Sequence, residues 1–389
     1  MSSILEQGGG LEKYLIETAS YLASNSSVEI DIITMDEKFT KDLNSLLNLY
    51  YFRKISGDTL YRESTDAIKL KLGKSKYFTV RDFKELRKKL QEYNVVYSKN
   101  EVLEAVIFKF FIGYKNLPPI IFGVHTPHHY PVVKSIQSKF HNFVYEGWIY
   151  NFLCSGVRSF HTSNKDSFSR ISKQFPEKDS FLIYYPFEMS KFSKLKKESS
   201  FEVYTKENSL NILWLARLSE QKGIEDLVKL IDDINKLELS EGVLWHICGS
   251  GDLKYESLIS NLSKKYKNVN YYGHIKNNNV PSLLRKMDLF LSTSKWEVSP
   301  FNIIEAQSMG IPVLSYSIPG PEDIIIDGKT GVLVKDYIQL FQSLISIIKK
   351  ERKFSEIKNN IDEKFNPKNI YSQIFEMFRN TYSSYGNKK

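Results

Sequence analysis

Two carboxylates eight residues apart, Glu297 and Glu305, bracket the segment Val298, Ser299, Pro300 and Phe301. Ser299 is an N-cap type, its hydroxyl able to accept from free backbone N–H groups, and Pro300 suits a first helical position, where no N–H is needed. This spacing predicts a helix that begins at Pro300 and stops at Gly310, followed by IPVLSYS as a buried strand. The free N–H groups and the helix dipole at such a start favour an anion. Glu297 then lies in the loop beside that anion. Glu305 lies nearly two turns deeper, placed to accept hydrogen bonds from a diol. A phosphate flanked by two hydroxyl-binding carboxylates is the chemical outline of a nucleotide-sugar. Two cations fit the same outline. Arg217 closes the predicted strand in LNILWLARLSEQKG, and Lys222 precedes Gly223 and the next predicted helix. Both can converge on one anion, Arg as a planar fork and Lys as a compact charge.

The elements that must position these groups alternate strand and helix along the whole chain, the pattern of parallel sheets with covered faces. In the first half, GGGLEKYLIETASYLA couples a glycine cluster to an amphipathic helix. Glycines before a helix let backbone N–H groups approach a phosphate, although a tight turn reads equally well. VEIDIITM, NVVYS, IIFGVH, SFHTS and FLIYYPF read as strands. FTKDLNSLLNLYYFRKI, VRDFKELRKKLQEY, NEVLEAVIFKFFIGYK and HNFVYEGWIYNFL read as helices. A doubly wound domain normally opens with a strand before its glycine loop. Only MSSILEQ stands there, so the first strand is expected to be short or missing. His125 falls just beyond a strand's carboxyl end, where open parallel sheets hold ligands, and is the candidate for a sugar or acceptor contact. His128 and His129 read as loop residues, His246 as a core histidine, and His274 as a neighbour of a nucleotide base. The Lys-rich run near residues 191–206 reads as a linker. After it the alternation restarts, with Gly249, Ser250 and Gly251 turning the chain behind a strand.

A chain of 389 residues exceeds what one core usually organises, so two domains are expected. With 42% hydrophobic and 25% charged residues it has an ordinary globular composition. Cys154 and Cys248 have no ligand-type spacing, which argues against a zinc site or a disulfide framework and for a reducing cytosol. No apolar run reaches the roughly 20 residues of a spanning helix, and residues 1–10 carry no signal-peptide pattern. The net charge is +7 over residues 1–206 and +2 over residues 207–389. No helix-turn-helix, RNA-recognition or zinc pattern accompanies it, so nucleic acid is not the expected partner; an anionic membrane surface or an acidic acceptor is.

ARLSEQKG (residues 216–223), CGSGDL (residues 248–253), the pair Glu297 and Glu305, EAQSMGIPV and PGPEDIIIDGKTGVLV together resemble glycosyltransferase family 4, the retaining nucleotide-sugar transferases. The order and spacing suit that family across residues 208–336. The first half resembles it more loosely, through GGGLEKYL, His125 and TSNKDS. The resemblance implies an α/β GT-B fold: two facing Rossmann-like, doubly wound parallel-sheet domains with a cleft between them. The expected bounds are 1–200 for the acceptor-side domain and 208–365 for the nucleotide-sugar domain, with a helix over 366–389 crossing back to the first.

The resemblance further implies that Arg217 and Lys222 hold the diphosphate, Glu305 the ribose hydroxyls and Glu297 the donor sugar. Backbone from Ser299 through Pro300 to Phe301, and at Gly249, joins the donor site. Gly9 and Gly10 approach the diphosphate, and His125 faces the sugar. Many family members carry Gly-Phe-Gly after the first Glu, where this chain has Val298, Ser299 and Pro300. No Asp-x-Asp motif appears, so neither a metal nor another cofactor is expected. The implied activity is retaining transfer of a hexose-type sugar from a nucleotide-diphosphate donor to a glycan, lipid-linked or protein acceptor in cell-surface polysaccharide or glycoconjugate assembly. The implied location is cytoplasmic, peripheral on the inner face of the cell membrane. Two alternatives stand beside it: a non-catalytic GT-B subunit supporting a partner transferase, and a nucleotide-sugar epimerase.

Overall fold

The computed structural model describes residues 14, 17–19, 21–22, 28–35, 48–54, 79–80, 83–98, 102–130, 136–195, 202–206 and 208–386. The chain divides into two compact units, Met1–Pro186 with Pro367–Lys389, and Phe187–Asn366. The Lys-rich stretch after Pro186 therefore groups with the second unit, and its start, Met189–Ser193, is helical. The glycine cluster with Gly9 and Gly10, and the short or missing first strand, lie outside the described residues.

The first unit holds a seven-stranded sheet. Its strands are β1 (Val28–Met35), β2 (Asn48–Lys54), β3 (Thr79–Val80), β4 (Val95–Ser98), β5 (Ile120–Val124), β6 (Ser159–Thr162) and β7 (Asp179–Leu182), in the spatial order β3-β1-β2-β4-β5-β6-β7. Every neighbouring pair is parallel except those of β2, which runs antiparallel to both β1 and β4. For residues 48–54 this corrects the helix expected over FTKDLNSLLNLYYFRKI, the rest of which lies outside the described residues. Leu49, Tyr50, Tyr51 and Phe52 are strand formers, and all four are paired on both edges, to β1 and to β4, which outweighs the helical pattern upstream.

Behind the sheet, Phe108, Phe122, Tyr150 and Phe160 form the bulk of the core. NEVLEAVIFKFFIGYK is helical as Val102–Val106 continuing into a π-helical turn, Ile107–Ile112. The helix expected over HNFVYEGWIYNFL is two helices, Ile136–Glu146 and Trp148–Leu153. They break at Gly147, whose extended backbone interrupts the ladder. The last helix, Pro367–Gly386, packs on this unit: Ser159 and Thr381 hydroxyls lie 2.9 Å apart, and the Tyr385 hydroxyl donates to the Leu117 carbonyl at 2.9 Å.

The second unit is a six-stranded, wholly parallel sheet of β8 (Leu210–Leu215), β9 (Val243–Cys248), β10 (Val269–Tyr271), β11 (Leu289–Ser292), β12 (Val313–Tyr316) and β13 (Gly331–Val334). The order is β10-β9-β8-β11-β12-β13. Strands β9, β11 and β12 are buried along their whole length, as expected of a sheet covered on both faces. Trp214, Trp245 and Leu291 anchor one face, with Ile224, Leu227 and Ile231 of the helix Ile224–Asn235 packed on it. The winding reverses between β8 and β11, the first and fourth strands of the unit, and the loops beyond their carboxyl ends form its topological switch point.

Candidate functional site

The loop after β8 carries Arg217 and Lys222, and the loop after β11 carries Glu297, Ser299 and Pro300. Both therefore open on the switch point, and the chain ties them together with backbone. The Lys295 N–H donates to the Gln221 carbonyl at 2.8 Å, and the Gln221 side-chain amide donates to the Trp296 carbonyl at 2.9 Å. The Thr293 hydroxyl donates to the Lys222 carbonyl at 2.8 Å and accepts from the Trp214 indole at 3.0 Å. Gly223, at φ +63°, lies so close that a Cβ there would sit 2.0 Å from the Thr293 carbonyl oxygen. Only glycine permits that approach.

Within this frame Lys222 Nζ forms an ion pair with Glu297 Oε1, both side chains being largely buried, at 15% and 8% exposure. The two residues expected to serve separate parts of a donor thus start in direct contact. Arg217 is exposed, with no hydrogen bond or ion pair among the described residues. A charged guanidinium held at the switch point without a protein anion is chemically suited to an incoming one. Glu305 is half-buried one face deeper on the helix Phe301–Ser308.

That helix starts one residue later than expected. Pro300 holds the cap position in an extended conformation, Phe301 is the first helical residue, and no side chain caps the helix. Pro300 itself adopts φ −75° and ψ 99°, and its carbonyl already accepts from Ile303 and Ile304. The cap falls on proline because its fixed φ suits the turn into the helix, which leaves the Ser299 hydroxyl without the capping role expected of it. Gly320, at φ +93°, packs beneath the loop, where a Cβ would lie 3.0 Å from Pro300 Cδ and 3.1 Å from Glu297 Cβ.

Gly249, at φ +141°, turns the chain after β9 against Ala216; a Cβ there would fall 1.8 Å from the Ala216 carbonyl oxygen. It therefore shapes the Arg217 loop from behind. The expectations for Arg217, Lys222, Glu297, Ser299, Pro300, Phe301, Glu305 and Gly249 all fall in this one unit. His125 lies in the other, at the carboxyl end of β5, held by the Tyr97 and Tyr185 hydroxyls at 2.8 and 2.7 Å.

Several contributors went unread in the sequence. Asp226, on the helix behind Gly223, receives the Tyr316 hydroxyl and pairs with Lys295; burial first, and then Asp226, push the Tyr316 phenol far above its usual range. The Asn302 amide donates to the Leu215 carbonyl at 2.8 Å and stitches the helix start to the end of β8. No periodic pattern marks such residues. A polar residue directly after a predicted strand or helix start is their only sequence trace. His246 is fully buried, as expected, with its titration lowered to about 4 by burial. Among the described residues no group of three His, Cys, Asp or Glu side chains could hold a metal ion.

The chain is similar to several known proteins. Residues 196–364 match the family model of glycosyl transferases group 1. An uncharacterized 41.2 kDa protein of the Klebsiella pneumoniae cps region is 27% identical over 195 residues, 48% of this chain and 51% of that protein. The Escherichia coli UDP-Gal:alpha-D-GlcNAc-diphosphoundecaprenol alpha-1,3-galactosyltransferase is 29% identical over 135 residues, 33% of this chain and 34% of that protein. The chain spans about half the length of the first curated relatives it matches. Anabaena HepE, solved in complex with UDP-glucose, superposes over 96% of both chains with a TM-score of 0.63 at 17% identity, which shows the GT-B fold. The family model points to glycosyl transfer over residues 196–364, and the structural likeness shows the fold.

Proposed function

We propose that this chain is a retaining, metal-independent glycosyltransferase of family 4. It moves a hexose-type sugar from a nucleotide-diphosphate donor to a glycan, lipid-linked or protein acceptor in cell-surface polysaccharide or glycoconjugate assembly. One observation carries the proposal: the exposed Arg217 and the Lys222–Glu297 pair stand together at the switch point of the second unit, beside the start of the helix Phe301–Ser308.

In this mechanism Arg217 and Lys222 hold the diphosphate. Lys222 turns part of its charge from Glu297 to the phosphate, and Glu297 is released to accept from a sugar hydroxyl. The acceptor hydroxyl attacks the anomeric carbon on the face the diphosphate leaves, and the leaving phosphate oxygen takes the acceptor's proton. The bond from anomeric carbon to phosphate oxygen breaks as the new glycosidic bond forms. Charge developing on the diphosphate is met by Arg217, Lys222 and the helix N–H groups, where one well-aimed donor is worth about 3–4 kcal/mol. No paired carboxylates are needed across the scissile bond, so Glu297 and Glu305 bind and orient, Glu305 on the ribose. Gly249, Ser299 and Phe301 complete the donor site through backbone, and His125 is assigned to the sugar or the acceptor.

The cytoplasmic face of a membrane is the proposed location. Phe110, Phe111, Phe140, Phe143, Trp148 and Phe152 are all exposed on the first unit, Trp148 by 72%, and Lys109 lies 4.1 Å over the Phe152 ring. Aromatic side chains interleaved with lysine suit the interface of an anionic bilayer. No helix among the described residues is long and apolar enough to cross a membrane.

A thermal-shift screen of UDP-, GDP- and ADP-sugars tests the function, since a ligand that binds only the native state raises its stability. One nucleotide class is expected to stabilise the protein and to be hydrolysed slowly, with and without EDTA. Stabilisation without turnover would point instead to a non-catalytic subunit, and no stabilisation by any of them would refute the donor site.

A further inference from the structure

Four neighbouring strands of the first unit each deliver one group to the same spot. Tyr97 lies on β4, Gly123 on β5 with His125 just beyond it, His161 on β6, and Tyr185 beyond β7. Gly123 pairs directly with His161 in register, and Tyr97 with Ile121. Gly123, two positions beyond the partner of Tyr97 and so on the same face, thus lies diagonally between Tyr97 and His161 and carries no side chain. The Tyr97 hydroxyl crosses over it to reach His161 Nδ1 at 2.7 Å and His125 Nε2 at 2.8 Å. A Cβ at position 123 would sit 2.1 Å from that hydroxyl and 2.4 Å from His125 Nε2, so alanine cannot be accommodated without breaking the contact.

The direction of every bond in this cluster follows from one backbone oxygen. His161 Nε2 faces the Ile183 carbonyl at 3.0 Å, and a carbonyl only accepts, so Nε2 carries hydrogen. His161 is fully buried, and burial lowers its titration to about 4, so the ring is neutral and its Nδ1 is a lone pair. That lone pair takes the single Tyr97 hydroxyl proton. The Tyr97 oxygen therefore faces His125 as an acceptor, and His125 Nε2 carries hydrogen. In neutral His125 the remaining Nδ1 accepts from the Tyr185 hydroxyl at 2.7 Å. The Tyr185 phenol is buried and pushed well above its usual range by that burial, so it keeps its proton. Tyr14 closes the cluster, its ring 4.5 Å from Tyr185 and 6.0 Å from His125.

We infer that Tyr97, with Gly123 making room for it, is a positioning residue that locks His125 in one tautomer and one ring plane, so that His125 meets the substrate sugar as a fixed wall and not as a proton carrier. This rests on the assignment of His125 made above, to the sugar or the acceptor, and takes the sugar. Both ring nitrogens being engaged within the protein, neither is left to exchange a proton with substrate.

Histidine-selective 15N NMR, combined with donor hydrolysis kinetics, tests it on the full chain. Wild type, Tyr97→Phe and Gly123→Ala are compared, with His125→Gln and His161→Gln used to identify the signals. The probes are UDP, GDP or ADP and the matching nucleoside-diphosphate glucose. In wild type both His125 and His161 are expected as the Nε2–H form. Tyr97→Phe should leave His161 in that form, still tied to Ile183, while His125 becomes a mixture of tautomers. Its kcat/KM for the sugar donor should fall about tenfold, as for the loss of one structural hydrogen bond. Affinity for the nucleoside diphosphate alone should not change. Gly123→Ala should act in the same direction and guards against a folding defect peculiar to Tyr97→Phe. A wild-type His125 in the Nδ1–H form, or wild-type kcat/KM in both variants, would overturn the inference while leaving the transferase intact. A wild type that binds no nucleoside diphosphate and hydrolyses no donor would overturn the transferase assignment, and with it the role given to His125.

Discussion

Replacing each of the two site cations separately should separate catalysis from stability. Arg217 is exposed and has no protein partner among the described residues, so Arg217→Ala removes nothing the folded chain depends on. Its effect on stability should stay within about 0.5 kcal/mol. Lys222 differs, because its removal leaves the Glu297 carboxylate in a largely buried loop with its ion-pair partner gone. Breaking a fully buried pair costs about 3–5 kcal/mol, and the residual 15% and 8% exposure here argues for about 1–3 kcal/mol. For a unit of this size that corresponds to a fall in Tm of roughly 2–12 °C. Both variants should lose about 100- to 1,000-fold in kcat, the cost of deleting one aimed donor to a developing anion. Differential scanning fluorimetry without ligand and a coupled assay of nucleoside diphosphate release measure the two effects. Equal stability of the two variants would refute the role given to the buried pair, and near-normal turnover in both would refute the diphosphate site.

Other consequences can be checked in parallel. Glu305→Gln should weaken nucleoside diphosphate binding about 10- to 100-fold by isothermal titration, as for the loss of a charged hydrogen-bond partner, without loss of fold; unchanged affinity would remove Glu305 from the ribose. His128, His161 and His246 are buried neutral, each with its titration lowered to about 4, chiefly by burial. In the unfolded chain they titrate at about 6.5 and bind protons first, so stability is full above that pH and falls as pH drops towards about 4. Each histidine contributes up to about 1.4 kcal/mol per pH unit in that window. Urea unfolding at pH 7 and pH 5 reads the slope, and a flat profile would contradict the burial of these rings. Replacing Phe110, Trp148 and Phe152 by serine should reduce sedimentation with vesicles containing phosphatidylglycerol; binding equal to wild type would reject that face as the membrane contact.

Much of the second unit was legible because it obeys local rules. Its strands are continuous apolar runs, its loops carry glycines where φ is positive, and the groups at the switch point announce themselves by type and spacing. What the sequence could not display was contact. Lys222 and Glu297 are 75 positions apart, and nothing in either neighbourhood says that they meet. The cap at Pro300 shows a milder failure: two adjacent residues both favour a helix start, and backbone geometry chooses between them. In the first unit β2 was hidden for a different reason. Its aromatic residues follow a stretch with helical periodicity, and only the vacancy between β1 and β4 decides for extension. Tyr97, Gly123, His161 and Tyr185 were read as strand residues and no more, since their significance lies in register across four strands.

The return of the helix Pro367–Gly386 to the first unit bears on how the protein is made. The second unit, Phe187–Asn366, is continuous in sequence. The first unit is not. The Thr381 hydroxyl beside Ser159, Tyr385 on the Leu117 carbonyl, and the Phe378 ring 5.9 Å from that of Tyr97 all come from the last segment of this unit to be translated. At about 5–20 residues per second, the first 186 residues wait on the order of 10–40 s for that helix. During this interval the sheet face it will cover, at β4 and β6, is open to chaperones and to other nascent chains. The first unit therefore cannot be complete until the whole of the second has been translated.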